Sequence, residues 1–531
     1  MAGTGMATIT TRATPNKSSR VAPAFPLKPA AAFIVLLFPL SGTAAEWRVT
    51  PTLSVQETYT DNVALTPAES AKSDFVTDLS PGINVAASGR GLKFNANYAY
   101  QYLNYAHGGK GDTGYNRLNA AGNIELARDL FAIDGTAAIS QQNTSLLGPQ
   151  AINNYAATDN RTTVKTITVS PYLHHDFRGI ATSELRFTHT SADTDTAALS
   201  SSQSDGVILS IASDPSVLHT LGWGFSYNDQ RNSLGNADAV NSSNVAANLR
   251  YLVTPQFSLT GSTGYDRYDY PVTSGVPSPH GQFYTGGFAW RPSERSSLSA
   301  SFGHKFYGQT YSLDSSIRSR ASVWRLSYDE AITNSLSQFT VNATDSTANF
   351  LDQLFHSSIP DDALRQQAVE RFILSAGLPT TLTQAINYLS NQIFLQKTLR
   401  ASVALTGARN TLVFTAFNMS RQQQSAQNGA PPLQGSSPAI SGDTRQTGVD
   451  ALWNWRVTAL TTATLDANVS KSRIDFDNTD QHLKTFRAML ACRLLPKMDG
   501  ILEFRHTTQT ADGAGADYQE NAISALVSMQ F

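Results

Sequence analysis

Cysteine is all but missing from this chain. A single residue, Cys492, can close no intrachain disulfide and offers no cluster for a metal. Charge is scarce as well: Asp, Glu, Lys and Arg make up 15% of the residues, against about 25% in ordinary soluble domains. No basic excess argues for nucleic acid as a partner. Long apolar runs are also lacking. Beyond Ala30–Leu40 nothing approaches the ~20 residues that a spanning helix needs, so membrane residence requires a closed barrel. Catalytic signatures are missing too: no Gly-rich phosphate loop, HExxH, C-x-x-C or Gly-x-Ser-x-Gly elbow occurs. His174 and His175 are adjacent, and adjacent residues on a strand point to opposite faces, so they cannot chelate one ion. The expectation is no enzyme, no cofactor and no metal.

What is present begins with an export signal. Arg12, Arg20 and Lys28 precede the apolar core Ala30–Leu40, and Ser41-Gly42-Thr43-Ala44-Ala45 follows. A basic region, a short apolar core and small residues describe a secretory signal peptide, 1–45, cleaved between Ala45 and Glu46. Met6 lies inside the long basic region and is an alternative start. Removing Arg12, Lys17, Arg20 and Lys28 from 39 basic residues against 41 acidic ones leaves residues 46–531 with a net charge of −6.

The remainder alternates. In Leu92–Leu103, Leu92, Phe94, Ala96, Tyr98, Tyr100 and Tyr102 share one phase, and Lys93, Asn95, Asn97, Ala99 and Gln101 the other. Ser297–Phe306, Ile393–Leu405 and Val449–Val457 repeat the pattern. Period-2 alternation of this kind marks strands with one apolar and one wet face. Short turn signals at Ser88–Gly91, Arg128-Asp129, Asp176–Gly179, Thr254–Gln256, Pro292–Arg295, Gly407–Asn410 and Pro496–Gly500 alternate with longer polar stretches at 143–159, 191–202, 229–241 and 421–443. Short connections on one side and long ones on the other predict an all-β, up-and-down antiparallel transmembrane barrel over 46–531. About 22 strands are expected, within a range of 18–24. A soluble β-sandwich would leave the aromatic faces exposed.

One segment departs from the pattern. In 349–390, Pro360-Asp361-Asp362 precedes Leu364, Ala368, Val369, Phe372, Ile373 and Ala376, and Gly377 and Pro379 follow. Three- and four-residue spacing with acidic residues at the start predicts a short amphipathic helix. It is expected to be an outer loop, used as a lumen constriction or as a cap on the rim.

At the other end, Ile523, Ala525, Val527, Met529 and Phe531 alternate with Ser524, Ser528 and Gln530. This resembles the terminal strand of bacterial outer-membrane barrels, whose last aromatic is read by the barrel-assembly machinery. Phe531, Met529 and Val527 are therefore the expected assembly signal. The first strand carries a second resemblance. Trp47, Val49, Pro51, Leu53, Val55, Glu57-Thr58-Tyr59-Thr60-Asp61-Asn62 and Leu65, with Gly377-Leu378-Pro379 and Gly407–Leu412, resemble the PEP-CTERM-system-associated outer-membrane protein family. That family belongs to the wider group of β-barrel porins of exopolysaccharide loci. The resemblance runs over essentially all of 46–531. It implies residence in the outer membrane of a Gram-negative bacterium, with lipopolysaccharide as lipid partner, and a part in exopolysaccharide export beside polysaccharide-export components. It supplies no catalytic or ligand residue. From the residues themselves, Glu57–Asn62 reads as a strand end and turn, because Asp and Asn bond nearby backbone amides.

Alternation also assigns a basic inner face: Lys93, Arg117, Arg186, Arg250, Arg325, Arg400, Arg456, Arg487, Arg493 and Arg505. Fewer acids share it: Glu125, Glu184, Asp329, Asp450, Asp466 and Glu503. An arginine excess would raise the local anion concentration and favour an anionic glycan; arginine–carboxylate ladders bracing the wall are the alternative. The function expected is a channel for exopolysaccharide export. The alternatives are a general or anion-preferring small-solute porin and a non-transport scaffold.

Overall fold

The computed structural model describes residues 45–107, 111–195, 201–214, 219–234, 239–269, 279–334, 393–425, 443–475, 478–512 and 517–531. Residues 1–44 of the expected signal peptide and the whole 349–390 insertion lie outside these.

Twenty-two strands form one antiparallel sheet. They begin with β1 (Glu46–Thr60), β2 (Asp74–Gly89), β3 (Leu92–Tyr105), β4 (Thr113–Ala127), β5 (Phe131–Asn143), β6 (Arg161–Asp176) and β7 (Ala181–Thr194). Next come β8 (Ser202–Ser213), β9 (Leu221–Leu234), β10 (Val240–Thr254), β11 (Phe257–Asp269), β12 (His280–Ser293), β13 (Ser296–Lys305), β14 (Gly308–Arg318) and β15 (Ser322–Thr333). The last group is β16 (Phe394–Thr406), β17 (Asn410–Gln423), β18 (Thr444–Arg456), β19 (Thr461–Ile474), β20 (Thr479–Leu495), β21 (Met498–Ala511) and β22 (Tyr518–Gln530). Each strand pairs with its sequence neighbours. The seam is closed by β1 and β22, in register from Thr52↔Gln530 to Thr60↔Ala522. Phe531 continues the seam, its backbone N–H donating to the Pro51 carbonyl at 3.0 Å. No strand edge is left open, which is the condition for spanning hydrocarbon with strands.

The turn end carries tight reversals. At Asp176–Gly179, Arg178 N–H donates to the Asp176 carboxylate at 2.9 Å, and Gly179 adopts φ 79°; glycine takes that conformation without steric cost. The opposite, loop end carries the long connections, with two exceptions: Phe306 and Tyr307 join β13 to β14, and 475–478 join β19 to β20, so the alternation of short and long is not strict.

Phase along each strand separates two faces. On β1, Trp47, Val49, Val55 and Tyr59 are exposed outward, while Arg48, Thr50, Thr52, Ser54, Gln56, Thr58 and Thr60 take the opposite phase. On β19, Leu465 and Val469 are outward, and Thr462, Thr464, Asp466, Asn468, Ser470 and Ser472 point in. All six tryptophans (Trp47, Trp223, Trp290, Trp324, Trp453 and Trp455) are exposed outward near the turn end of their strands. Tyr59, Tyr265, Tyr284 and Tyr311 are exposed outward toward the loop end. Two aromatic belts bracketing an apolar band are the mark of a bilayer-spanning wall.

Candidate functional site: the lumen and its inward loop

With 22 strands about 4.8 Å apart and tilted ~40°, the backbone cylinder is about 40 Å across. Whatever passes through is therefore governed by what fills this space. Part of the filling is the β5–β6 connection, Thr144–Asn160. Surface loops are normally exposed. This one buries Thr144, Ser145, Leu146, Gln150, Tyr155, Thr158 and Asn160.

Its base is tied by one side chain. The Asn160 carboxamide oxygen accepts from Ser145 N–H at 2.7 Å and from the Thr144 hydroxyl at 2.9 Å, while its amide donates to the Ser145 and Pro149 carbonyls. A Cβ on Gly148 would meet the Asn160 carboxamide at 2.5 Å, so this close approach requires glycine. Gln150 then folds back and donates to the Ser145, Leu146 and Gly148 carbonyls.

The loop docks on the inner wall across the seam. Gln150 N–H donates to the Gln509 side chain of β21 at 3.0 Å, and Gln509 donates to the Gly148 carbonyl at 3.3 Å. From β22 the Tyr518 hydroxyl donates to the Gln150 carbonyl at 2.8 Å. From β3 the Tyr105 hydroxyl donates to the Tyr155 carbonyl at 2.9 Å, and Asn154 donates to Gln101 at 2.6 Å. Fully buried Leu146 packs on Ile474 of β19. Contacts from β19 through β22 to β3 show that the loop lies as a chord along this arc of the lumen.

The β1–β2 connection reinforces it. Ala157 N–H donates to the Val63 carbonyl at 2.7 Å, and Val63 joins Val76, Leu103, Tyr105, Tyr155 and Ala522 in one apolar cluster. The Glu57–Asn62 motif is a strand end and turn here. The Asp61 carboxylate accepts from the Asn521 backbone and side chain, both at 2.7 Å. Asn62 donates to the carbonyls of Thr66 and Gln519.

Arg505 is the charged centre of the dock. It is 3% exposed and paired with Glu520 at 3.1 Å, with Glu503 at 3.5 Å further along β21. Its guanidinium lies over the Tyr155 ring and donates to that hydroxyl. A desolvated arginine with its carboxylate in place is tolerated, whereas either one alone is costly.

All ten basic residues expected on the inner face occupy the phase opposite to the exposed apolar residues of their strands, but they do not form one site. Arg487 and Arg505 are cross-strand neighbours, and Arg487 is paired with Asp466 at 2.7 Å. Arg186 lies over the Tyr172 ring and bonds Asp134 at 2.6 Å and Glu184 at 2.9 Å. Arg325 faces Asp314 at 3.6 Å, and Arg493 faces Asp499 at 3.8 Å. Arg456 donates to the Ala408 carbonyl at the turn end. Arg400 is half-buried opposite Phe417. Lys93, Arg117 and Arg250 are exposed and have no ion-pair partner among the described residues. Asp78, Asp134, Asp266, Asp314 and Glu520 are inward acids that alternation missed. They reduce the apparent arginine excess, and three of them sit beside arginines as wall braces. His174 and His175 point to opposite faces, opposite Glu184 and Ser183 respectively.

A closed antiparallel wall, apolar outside and polar within, defines a membrane-spanning β-barrel of the outer-membrane type. No protein-family model matches the chain, and no curated protein does. Solved structures similar to it include the siderophore receptor PirA from Pseudomonas aeruginosa (8% identity, TM-score 0.44, 91% of this chain and 80% of that one). The FrpB iron transporter from Neisseria meningitidis (10%, 0.39, 91% and 82%) and the outer membrane protein opdK from Pseudomonas aeruginosa (6%, 0.34, 91% and 99%) are also similar. The likeness is one of barrel architecture, and nothing about cargo follows from it.

Proposed function

We propose that this chain is a conduit in the outer membrane of a Gram-negative bacterium, exporting exopolysaccharide beside a PEP-CTERM system. The observation that carries a conduit is the inner wall itself: on β1, and on β19 from Thr462 to Ser472, every inward side chain is polar. A scaffold has no need of such a face. The export role rests on the resemblance of the Trp47–Leu65 segment to barrels of exopolysaccharide loci. Its mechanism is threading of a hydrated glycan past the Thr144–Asn160 chord, with the polar wall replacing water's hydrogen bonds. Deleting the gene and measuring surface polysaccharide tests it: loss of export is expected, and unchanged export removes this reading.

A second reading is favoured by one observation. Lys93, Arg117 and Arg250 face the lumen without paired acids among the described residues, as suits an anion-preferring small-solute porin. Reversal potentials in a salt gradient separate charge preference from bracing. Replacing Arg117 and Arg250 with Gln should reduce anion preference more than replacing Arg186. Cation preference in the unaltered channel contradicts the anion reading, and swelling of liposomes in sugars of graded size sets the size limit.

A further inference from the structure

On the outer face, loop-end tyrosines cover part of the circumference only; among the described residues, β4–β10 carry none outward at that level, nor do β17–β22. Strands β3, β11, β12, β14 and β15 place Tyr102, Tyr265, Tyr284, Tyr311 and Tyr328 outward near their loop ends. On β17–β22 the lone described tyrosine, Tyr518, points inward and is buried against the loop. At the corresponding level β18, β19 and β20 carry Arg445, Lys471, Arg473 and Lys484, with His482 between them. All are outward: Arg445 pairs across the strands with Arg473, Lys471 with His482, and Lys484 with the exposed Val469.

Among the described residues, two acids pair with this group. Asp480 takes Lys471 at 2.6 Å and Arg473 at 3.7 Å, and Asp475 takes Arg473 at 3.7 Å. Arg445 and Lys484 are exposed and have no ion-pair partner among the described residues. Lys484 stands at the edge of the apolar band, two residues from exposed Phe486. A cation at a lipid-facing surface is retained where its stem lies on apolar neighbours and its head reaches an anion at the interface.

We propose that this patch on β18–β20 binds the phosphates of a phosphorylated glycolipid in the outer leaflet. The patch takes the place that tyrosines hold on other strands and fixes the barrel's rim to charged headgroups. The inference rests on placement in the outer membrane with the loop end outward.

The test uses the full-length barrel in nanodiscs of zwitterionic lipid, titrated with bis-phosphorylated lipid A. Replacing two interfacial cations, as in Arg445→Gln with Lys484→Gln, should weaken binding about thirtyfold. Lys165→Gln with Arg231→Gln, outward cations on β6 and β9, should leave it unchanged. Dephosphorylated lipid A should bind as weakly to the unaltered barrel as the phosphorylated form binds to the double variant. Phosphatidylglycerol should compete poorly; equal competition means that charge alone is read and overturns the glycolipid assignment. Undiminished binding by the double variant, or equal binding of the dephosphorylated lipid, overturns the site. Should the double variant fail to assemble, Lys484→Gln alone, with an expected loss of about fivefold, carries the same test. Because binding is read on purified barrel, its failure leaves the conduit reading standing. Fractionation of the protein away from the outer membrane would remove both.

Discussion

Replacing Leu146 with alanine isolates the inward loop from the wall that holds it. Leu146 is fully buried against Ile474, yet it belongs to no strand. Truncating a buried leucine costs about 2–5 kcal/mol, and here that cost falls on docking rather than on the barrel ladder. Direct wall contacts from Gln509, Tyr518, Tyr105, Gln101 and Arg505 remain, each worth about 0.5–1.5 kcal/mol. The loss is comparable with their sum, so the docked loop should exchange with a detached one. The docked-to-detached ratio should fall at least about thirtyfold. Tyr155, buried when docked, should become a chymotrypsin site in reconstituted barrels, while heat-resistant migration of the barrel persists. Single-channel conductance should rise and become noisy. Cleavage at Tyr155 with conductance and sugar-size limit unchanged would refute the assignment of this loop as the constriction. Persistent protection of Tyr155 would refute the packing argument itself.

Other perturbations probe the wall. Ile167→Arg places a charge outward near the middle of β6 and should destabilise the barrel by about 2–4 kcal/mol in urea titrations from lipid vesicles. Asn95→Arg, on the inner face of β3, should be close to neutral, and equal costs would contradict the assignment of faces. Glu520→Gln removes the nearer of the two carboxylates at the buried Arg505 guanidinium and leaves only Glu503 at 3.5 Å, which should cost about 3 kcal/mol; a melting temperature within error of the parent counts against the ion pair. Deleting Phe531 should impair assembly in the outer membrane while periplasmic material accumulates. Normal assembly would remove Phe531, Met529 and Val527 as the signal that is read.

The wall was legible because its physics is local. Leu92–Leu103 alternates so strictly that its phase predicts which residues meet lipid, and the observed pairing of Tyr98 with Ile83 and of Asn97 with Asn84 keeps that phase. Closure followed from strand parity. The filling of the lumen was less legible. Nothing in the spacing of Thr144–Asn160 distinguishes an inward loop from a solvated one, because its anchors, Gln509 and Tyr518, are more than 300 residues away in sequence. A signal was present in Leu146-Leu147 and Tyr155, apolar residues in a stretch that otherwise reads as polar. Constriction was instead expected from 349–390, which lies outside the described residues. The inward acids were missed for a related reason. Asp134 sits in β5 among Gly135, Ala137 and Ala138, whose small side chains blur the phase that larger apolar residues make plain.

The arrangement of charge divides the lumen into two arcs of different chemistry. Away from the turn end, from β19 across the seam to β3, inward side chains lie under the two connections, and Arg487 and Arg505 are committed: Arg487 to Asp466, and Arg505 to Glu520 and Tyr155. Charge spent in this way holds a loop and exerts little field on a passing ion. Between β3 and β10 the inward cations Lys93, Arg117 and Arg250 stay exposed, and a water-filled space transmits their field only over a Debye length of ~8 Å at physiological salt. In a cylinder about 40 Å across, such a field grips nothing at the axis. The chord formed by Thr144–Asn160 matters for this reason. By filling the seam side of the lumen, it confines whatever passes to the arc where the free cations lie. Selectivity and constriction are therefore coupled, and a barrel whose loop is detached should lose anion preference as it gains conductance.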